Sequence, residues 1–310
     1  MGQKVIVIVG PTCSGKTNLG IKLAKKLSGE IISADSRQIF KYLNIGTATP
    51  SKNELRKIKH HFINILSPDE KYDVSIFEKD AIKIIQNIRK KNNQPIVVGG
   101  SGLYIKAIID GIFDSVETDL EYRNELMKMR NEKGNEHLYY LLQKTDLKSA
   151  GKMLPSNWKR VIRALEVLHV TGKPIWQIQQ EHKRKDEYDF VQFGLKWNRQ
   201  ELYRNIEIRV DNMMEEGLVG EVENILNMGY SAELNSLNTV GYKEIISYLN
   251  NQITLERAVE LIKRNTRRFA KRQMTWFRKD ERINWLEINN KTNLNNVVNV
   301  IIKSLKNNVQ

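Results

Sequence analysis

An apolar strand, a glycine loop and a helix follow one another in the first 27 residues, and that succession constrains the fold more than any other feature. Val5-Ile6-Val7-Ile8-Val9 is an unbroken apolar run, the pattern of a strand covered on both faces. Gly10, Pro11, Thr12, Cys13, Ser14, Gly15, Lys16 and Thr17 come next, with the spacing of a phosphate-binding loop. Asn18 to Leu27 continues with helical periodicity. In this setting the backbone N–H groups of the loop converge on an anion. Lys16 adds a point charge and the helix N-terminus adds its dipole. Thr17 supplies a hydroxyl suited to Mg²⁺. A plain glycine turn would explain the bend, but not Lys16 beside Thr17 at the helix start. The pattern therefore predicts a diphosphate or triphosphate site without saying what carries the phosphates. Nucleotide kinases, GTPases and small-molecule kinases share it.

The same alternation continues downstream. Glu30–Ser33 reads as a second strand, 75–92 as a helix with an apolar stripe through Ile76, Phe77, Ala81, Ile84, Ile85 and Ile88, and Pro95–Val98 as a further strand leading into a helix at 103–111. Strands alternating with helices predict an α/β fold, a P-loop NTPase-like parallel sheet with helices on both faces. Ligands in such sheets sit beyond the C-terminal strand ends, which would bring the glycine loop, Asp35 and Ser101 to one edge. From 115 to 187 only helical spacing is found, at 119–133, 136–144, 156–171 and 174–182. The expected organisation is a first core part at 1–114, an all-helical insertion at 115–187 and a second core part at 188–310. The last part would hold a strand at 190–195, helices at 199–216, 218–228, 241–250 and 254–279, a strand at 283–288 and a final helix at 292–308.

Several clusters carry possible chemistry. Asp35-Ser36-Arg37-Gln38 follows the second strand, and a carboxylate there suits proton or metal work, although Asp and Ser also favour turns and caps. Gly99-Gly100-Ser101-Gly102 permits close backbone approach, and Ser101 offers either a hydroxyl or a helix cap. Arg204 and Arg209 are candidates for a phosphate clamp. His60 and His61 are adjacent, so they face different ways and make no spaced metal pair. Between Arg257 and Lys279 lie nine basic residues. Lys263, Arg267 and Lys271 form one stripe, and Arg264, Arg268 and Arg272 a second. A helix this poor in acids is suited to phosphodiesters. Phe269, Trp276 and Phe277 on it are expected to be core anchors. The net charge of +14 points the same way, towards a polyanion, although a lysine-rich background composition would also produce it. No apolar run long enough to span a membrane is present, and the N-terminus shows no signal-peptide pattern. The single cysteine, Cys13, fits a reducing cytoplasm.

Taken together, GPTCSGKT, ADSRQIFKYLNIGTATP, HHFINILSP, PIVVGGSGLYIKAIIDG, RVIRALEVLHVTGKPI, GYKEI and KRNTRRFAKRQMTWFRK resemble, in order, the tRNA dimethylallyltransferases, also called tRNA isopentenyltransferases. The resemblance runs over nearly the whole chain. It implies transfer of a dimethylallyl group from dimethylallyl diphosphate to the exocyclic amine of the adenosine 3′ of the anticodon, in tRNAs reading codons that start with U. It implies that the amides of residues 12–17, Lys16 and Mg²⁺ on Thr17 receive the departing diphosphate, with Arg209 in contact. Asp35 would be general base, with Ser36, Arg37 and Gln38 beside it. Ser101, where the family usually has threonine, would contact the acceptor. The segment Lys159, Arg160, Val161, Ile162 and Arg163, together with Arg123, would grip the anticodon stem-loop, and Arg264, Arg268 and Arg272 would face the stem. The protein is expected to act as a cytoplasmic monomer. The rival reading from the loop alone is a small-molecule or nucleotide kinase.

Overall fold

The computed structural model describes residues 4–112, 119–181 and 188–307. They fall into two compact units: Met1–Ile109 with Asp186–Gln310, and Asp110–Lys185. Both edges of the expected insertion, 115 and 187, lie outside the described residues.

The larger unit begins with β1 (Lys4–Val9), α1 (Lys16–Leu27), β2 (Gly29–Ala34), α2 (Lys52–Lys57), β3 (His60–His61), α3 (Val74–Lys90), β4 (Gln94–Gly99) and α4 (Gly102–Asp110). With β5 (Asp189–Trp197) and β6 (Ile283–Ile288), the six strands among the described residues are all parallel, in the order β3-β2-β4-β1-β5-β6. The unalternating run in β1 is explained by two cores. Val5, Val7 and Val9 pack into one, with Phe77, Ile85 and Ile108, while Ile6 and Ile8 pack into the other, with Leu19, Leu23 and Ile301. Each such side chain contributes about 1.5–3 kcal/mol by leaving water. In register, Gly99 of β4 lies opposite both Val9 and Ala34, so β1, β2 and β4 end level. Gly99 cannot be replaced without movement, because a Cβ there would stand 2.1 Å from the Ala34 carbonyl oxygen.

The regular elements among the smaller unit's described residues are all helical: α5 (Leu120–Thr145), α6 (Leu147–Ala150), a 3₁₀ turn at Pro155–Asn157, α7 (Trp158–Thr171) and α8 (Ile175–Glu181). The two helices expected at 119–133 and 136–144 form one element broken at Gly134, where φ is +85°. Leu126, Leu138, Leu142, Val161, Ile162 and Leu165 make its core.

The chain then returns to the larger unit through β5 (Asp189–Trp197), α9 (Arg199–Glu215), α10 (Leu218–Asn227), α11 (Tyr242–Leu249), α12 (Leu255–Phe277), β6 (Ile283–Ile288) and α13 (Leu294–Asn307). Two elements of this unit were not expected. One is α2, a short helix capped by Ser51 and Glu54 without a buried residue, and the other is β3, two histidines that become a strand only because the edge of β2 accepts them.

Candidate active site

A cavity of about 550 Å³ opens within the larger unit at the C-terminal ends of β1, β2 and β4. The loop after β1 forms its floor. Gly15 has φ +82°, open to glycine at no cost, whereas Cys13 holds φ +62° with a side chain, an unfavourable state of the kind stored at phosphate loops. Lys16 folds back and donates from Nζ to the Pro11 carbonyl at 3.1 Å. Burial pulls its pKa from the ordinary 10.5 down to about 8. Asp35 opposes that shift, and the neighbouring Arg209 adds to it. A cation this poorly solvated gains strongly from an anion. Arg209, on α9, donates from one Nη to Thr12 Oγ1 at 2.9 Å and reaches Cys13 Sγ at 3.7 Å, while its buried Nε has no partner. Arg204 is exposed and does not line the cavity.

The cradle differs from expectation at two atoms. The amide of Thr12, counted from the sequence among the anion donors, instead donates to Oε1 of Gln273 at 2.8 Å, and that of Ser14 donates to the Pro11 carbonyl at 3.3 Å, which leaves the amides of residues 13 and 15–17. Thr17 lines the cavity at the start of α1. No cluster of three His, Cys, Asp or Glu residues suited to a metal occurs among the described residues. A single hydroxyl fits Mg²⁺, which keeps its waters and takes most other ligands from phosphate oxygens.

The second edge is built on β2 and β4. Asp35 Oδ1 accepts the backbone N–H of Arg37 at 2.9 Å and of Gln38 at 3.4 Å, so the turn itself fixes the carboxylate. Ser101 Oγ accepts the amide of Ser36 at 3.0 Å and donates to the Ser36 hydroxyl at 3.4 Å, which ties β4 to the Asp35 turn. Gln38 spends its amide on the carbonyls of Thr47 and Ala48 and on the Ser33 hydroxyl. Arg37 donates to the Asn235 carbonyl. The loop at 44–46 is held from below, where Glu221 accepts three of its amides and the Tyr242 hydroxyl.

Helix α12 forms the third wall through Phe269, Arg272 and Gln273. Its two basic stripes are not equivalent. Lys263 and Arg267 pair with Asp211 and Glu207 of α9 at 2.6 and 2.8 Å. Arg264, Arg268 and Arg272 have no acid within ion-pair distance among the described residues. Phe277 is a core anchor as expected, but Phe269 and Trp276 are not: they remain 40% and 46% exposed because their positions fall off the buried stripe of Ile262, Ala270, Gln273 and Phe277.

In the helical unit Lys159 and Arg160 are exposed on α7. Val161 and Ile162, expected among the RNA contacts, are core residues whose side chains are spent inside. Arg123 and Arg163 both lie 2.7 Å from the same oxygen of Glu166, which is completely buried.

Sequence reasoning missed Gln273 and Glu221. The first had a signal, an amide standing where the apolar stripe of α12 calls for a hydrophobe. The second had none, since an exposed-looking glutamate on an amphipathic helix is ordinary.

A parallel sheet with a phosphate loop after β1 and convergent polar groups beyond its strand ends defines a P-loop-type α/β protein. Within that class the chain belongs to the IPP transferase family, whose family model matches residues 38–280. The tRNA dimethylallyltransferase of Carboxydothermus hydrogenoformans is 46% identical over 93% of each chain. The solved tRNA isopentenylpyrophosphate transferase of Bacillus halodurans is 37% identical with a TM-score of 0.73, covering 98% of this chain and 97% of that one. A eukaryotic dimethylallyltransferase acting on tRNA superposes with a TM-score of 0.84 at 27% identity, over 99% of this chain and 80% of that one.

Proposed function

We propose that this protein transfers the dimethylallyl group of dimethylallyl diphosphate to the exocyclic amine of the adenosine 3′ of the anticodon in tRNAs reading U-starting codons. The observation that carries the reading is one cavity holding two kinds of group. On one side is a cradle for a departing diphosphate, and on the other a carboxylate and hydroxyl held at the ends of β2 and β4. As the allylic C–O bond breaks, its electron pair leaves with the diphosphate, and the amides of residues 13 and 15–17, the Lys16 ammonium and Arg209 take up that charge. The amine nitrogen forms the new bond to carbon and its proton passes to Asp35. Mg²⁺, held at Thr17 and by phosphate oxygens, would supply further charge stabilisation. The adenine must leave its stack to reach the cavity, as bases do when enzymes act on them. Lys159, Arg160, Arg163 and Arg123 serve the anticodon arm, and Arg264, Arg268 and Arg272 the stem backbone.

The kinase reading gains no support, because the matched relatives carry dimethylallyltransferase names. No helix among the described residues is long and apolar enough to cross a membrane. A cytoplasmic monomer remains part of the proposal.

The test is incubation with labelled dimethylallyl diphosphate and an anticodon stem-loop, AMP, or ATP with small acceptors. Label is expected on the stem-loop alone. In the same assay Asp35→Ala should reduce single-turnover transfer about 10²-fold or more with stem-loop affinity kept. Unchanged transfer would remove Asp35 as base, and label on a free nucleotide would replace the RNA substrate.

A further inference from the structure

We infer that Gln273 is a positioning residue that sets the distance between the diphosphate cradle and the acceptor edge. This inference rests on the function just proposed. Gln273 is buried on α12 and both ends of its amide are spent. Its Oε1 accepts the Thr12 amide of the loop after β1 at 2.8 Å, and its Nε2 donates to the Gly100 carbonyl of the loop after β4 at 3.0 Å. The two partners are a donor and an acceptor of the main chain, so only one orientation of the amide satisfies both. No other residue type of that length offers both groups without a charge. The next residue in the chain after Gly100 is Ser101, whose hydroxyl anchors the Asp35 turn. One side chain thus bridges the loop that receives the leaving group and the loop that presents the acceptor hydroxyl. Its neighbours Phe269 and Arg272 line the same cavity.

The packing is tight enough to test. A Cβ on Gly100 would stand 2.3 Å from Gln273 Nε2, and its next neighbour, the Gly10 carbonyl oxygen, lies at 3.5 Å, an ordinary contact. Gly100 does not have a positive φ, so alanine is allowed there by the backbone. Gly100→Ala should therefore expel the Gln273 amide, and the added methyl should fit once that amide is removed.

The experiment is a double-mutant cycle read by single-turnover transfer to an anticodon stem-loop, with stem-loop affinity and inorganic diphosphate affinity measured separately. Gln273→Ala is expected to slow transfer about 10-fold or more and to weaken diphosphate binding, with stem-loop affinity within twofold. Gly100→Ala should do the same, and the double variant should be no worse than Gln273→Ala alone. Effects that multiply, or a Gln273→Ala loss below twofold, would overturn the inference. Gln273→Glu serves if the alanine variant does not fold. Its carboxyl matches the amide only when protonated, so its rate relative to the native protein should rise as pH falls, and a flat ratio would count against the bridge. If the native protein transfers no label to the stem-loop, the function proposed above fails. The bridge would then stand or fall on inorganic diphosphate affinity alone, which Gln273→Ala should still lower and which, if unchanged, would overturn it.

Discussion

Two helices of this protein, α12 and α7, hold their cations against very different acids. On α12, Lys263 and Arg267 meet carboxylates of α9 that are about half exposed, Asp211 at 52% and Glu207 at 48%. On α7, Arg163, together with Arg123 of α5, meets Glu166, which is wholly inaccessible. An exposed pair contributes about 0–1 kcal/mol and gives up its partner at little cost. A buried carboxylate left alone costs several kcal/mol, so its arginines cannot be traded for a phosphate. The difference teaches that basic residues of one sequence pattern play two roles. Those of α12 are available to a polyanion, either directly, through Arg264, Arg268 and Arg272, or by exchange. Arg123 and Arg163 are fixed, and any anion they meet must use the N–H groups that Glu166 leaves over.

The largest effect expected is on folding. Replacing Arg123 and Arg163 together by alanine strands Glu166, and thermal or urea unfolding should show a loss of about 3–5 kcal/mol. Adding Glu166→Gln should return part of it. If the double variant is as stable as the native chain, the buried carboxylate is not held by these arginines and the contrast collapses.

Next in size is the salt dependence of tRNA binding. Replacing Arg264, Arg268 and Arg272 by glutamine should reduce the slope of log affinity against log salt by about 2–3 if each meets a phosphate. An unchanged slope would move the RNA surface off α12.

Lys16 sharpens the contrast as a buried cation with no carboxylate at ion-pair distance among the described residues. Its pKa is lowered in the fold, so between about 8 and its ordinary 10.5 the unfolded chain binds more proton. Stability from this group therefore rises with pH across that window, because the folded protein no longer buries a charge. Anion binding runs the other way. Affinity for inorganic diphosphate should fall as pH rises above about 8, and calorimetry in buffers of differing ionisation heat should register proton uptake there. Lys16→Gln should lack this uptake; if it persists, another group is titrating.

The smallest effect belongs to Lys263 and Arg267. Their replacement by glutamine should change stability by less than about 1 kcal/mol. It should also lower the salt slope less than the triple variant does. An equal drop would show that both stripes face RNA.

The strands and helices with long apolar periods were legible because their burial is written locally. Residues 283–288 became β6 with the bounds expected, and the break between 119–133 and 136–144 reappears as the left-handed Gly134. His60 and His61 were not legible as a strand, since nothing in two polar residues announces that an edge will pair with them. The candidate site divides the same way. Lys16, Thr17, Asp35, Ser101 and Arg209 all line the cavity where sequence reasoning placed them. Val161 and Ile162 do not reach a surface, because a helix with basic residues at 159, 160 and 163 turns the two positions between them inward. Phe269 and Trp276 failed in the opposite direction, as hydrophobicity alone does not say which side of α12 meets the sheet.

By itself the chain determined the phosphate loop, since backbone amides, a left-handed glycine and a following helix are all properties of eight consecutive residues. It equally determined the parallel sheet, through apolar runs that only a doubly covered strand can bury. Tertiary structure decided which distant groups complete the site: of the two candidate arginines on α9 only Arg209 reaches the loop, and Gln273 arrives unannounced from α12, the two separated from Thr12 by 197 and 261 residues. Their arrival depends on how α9 and α12 pack across the ends of β1 and β4. That packing is a sum over many side-chain contacts, none of which is encoded near the residues it brings together.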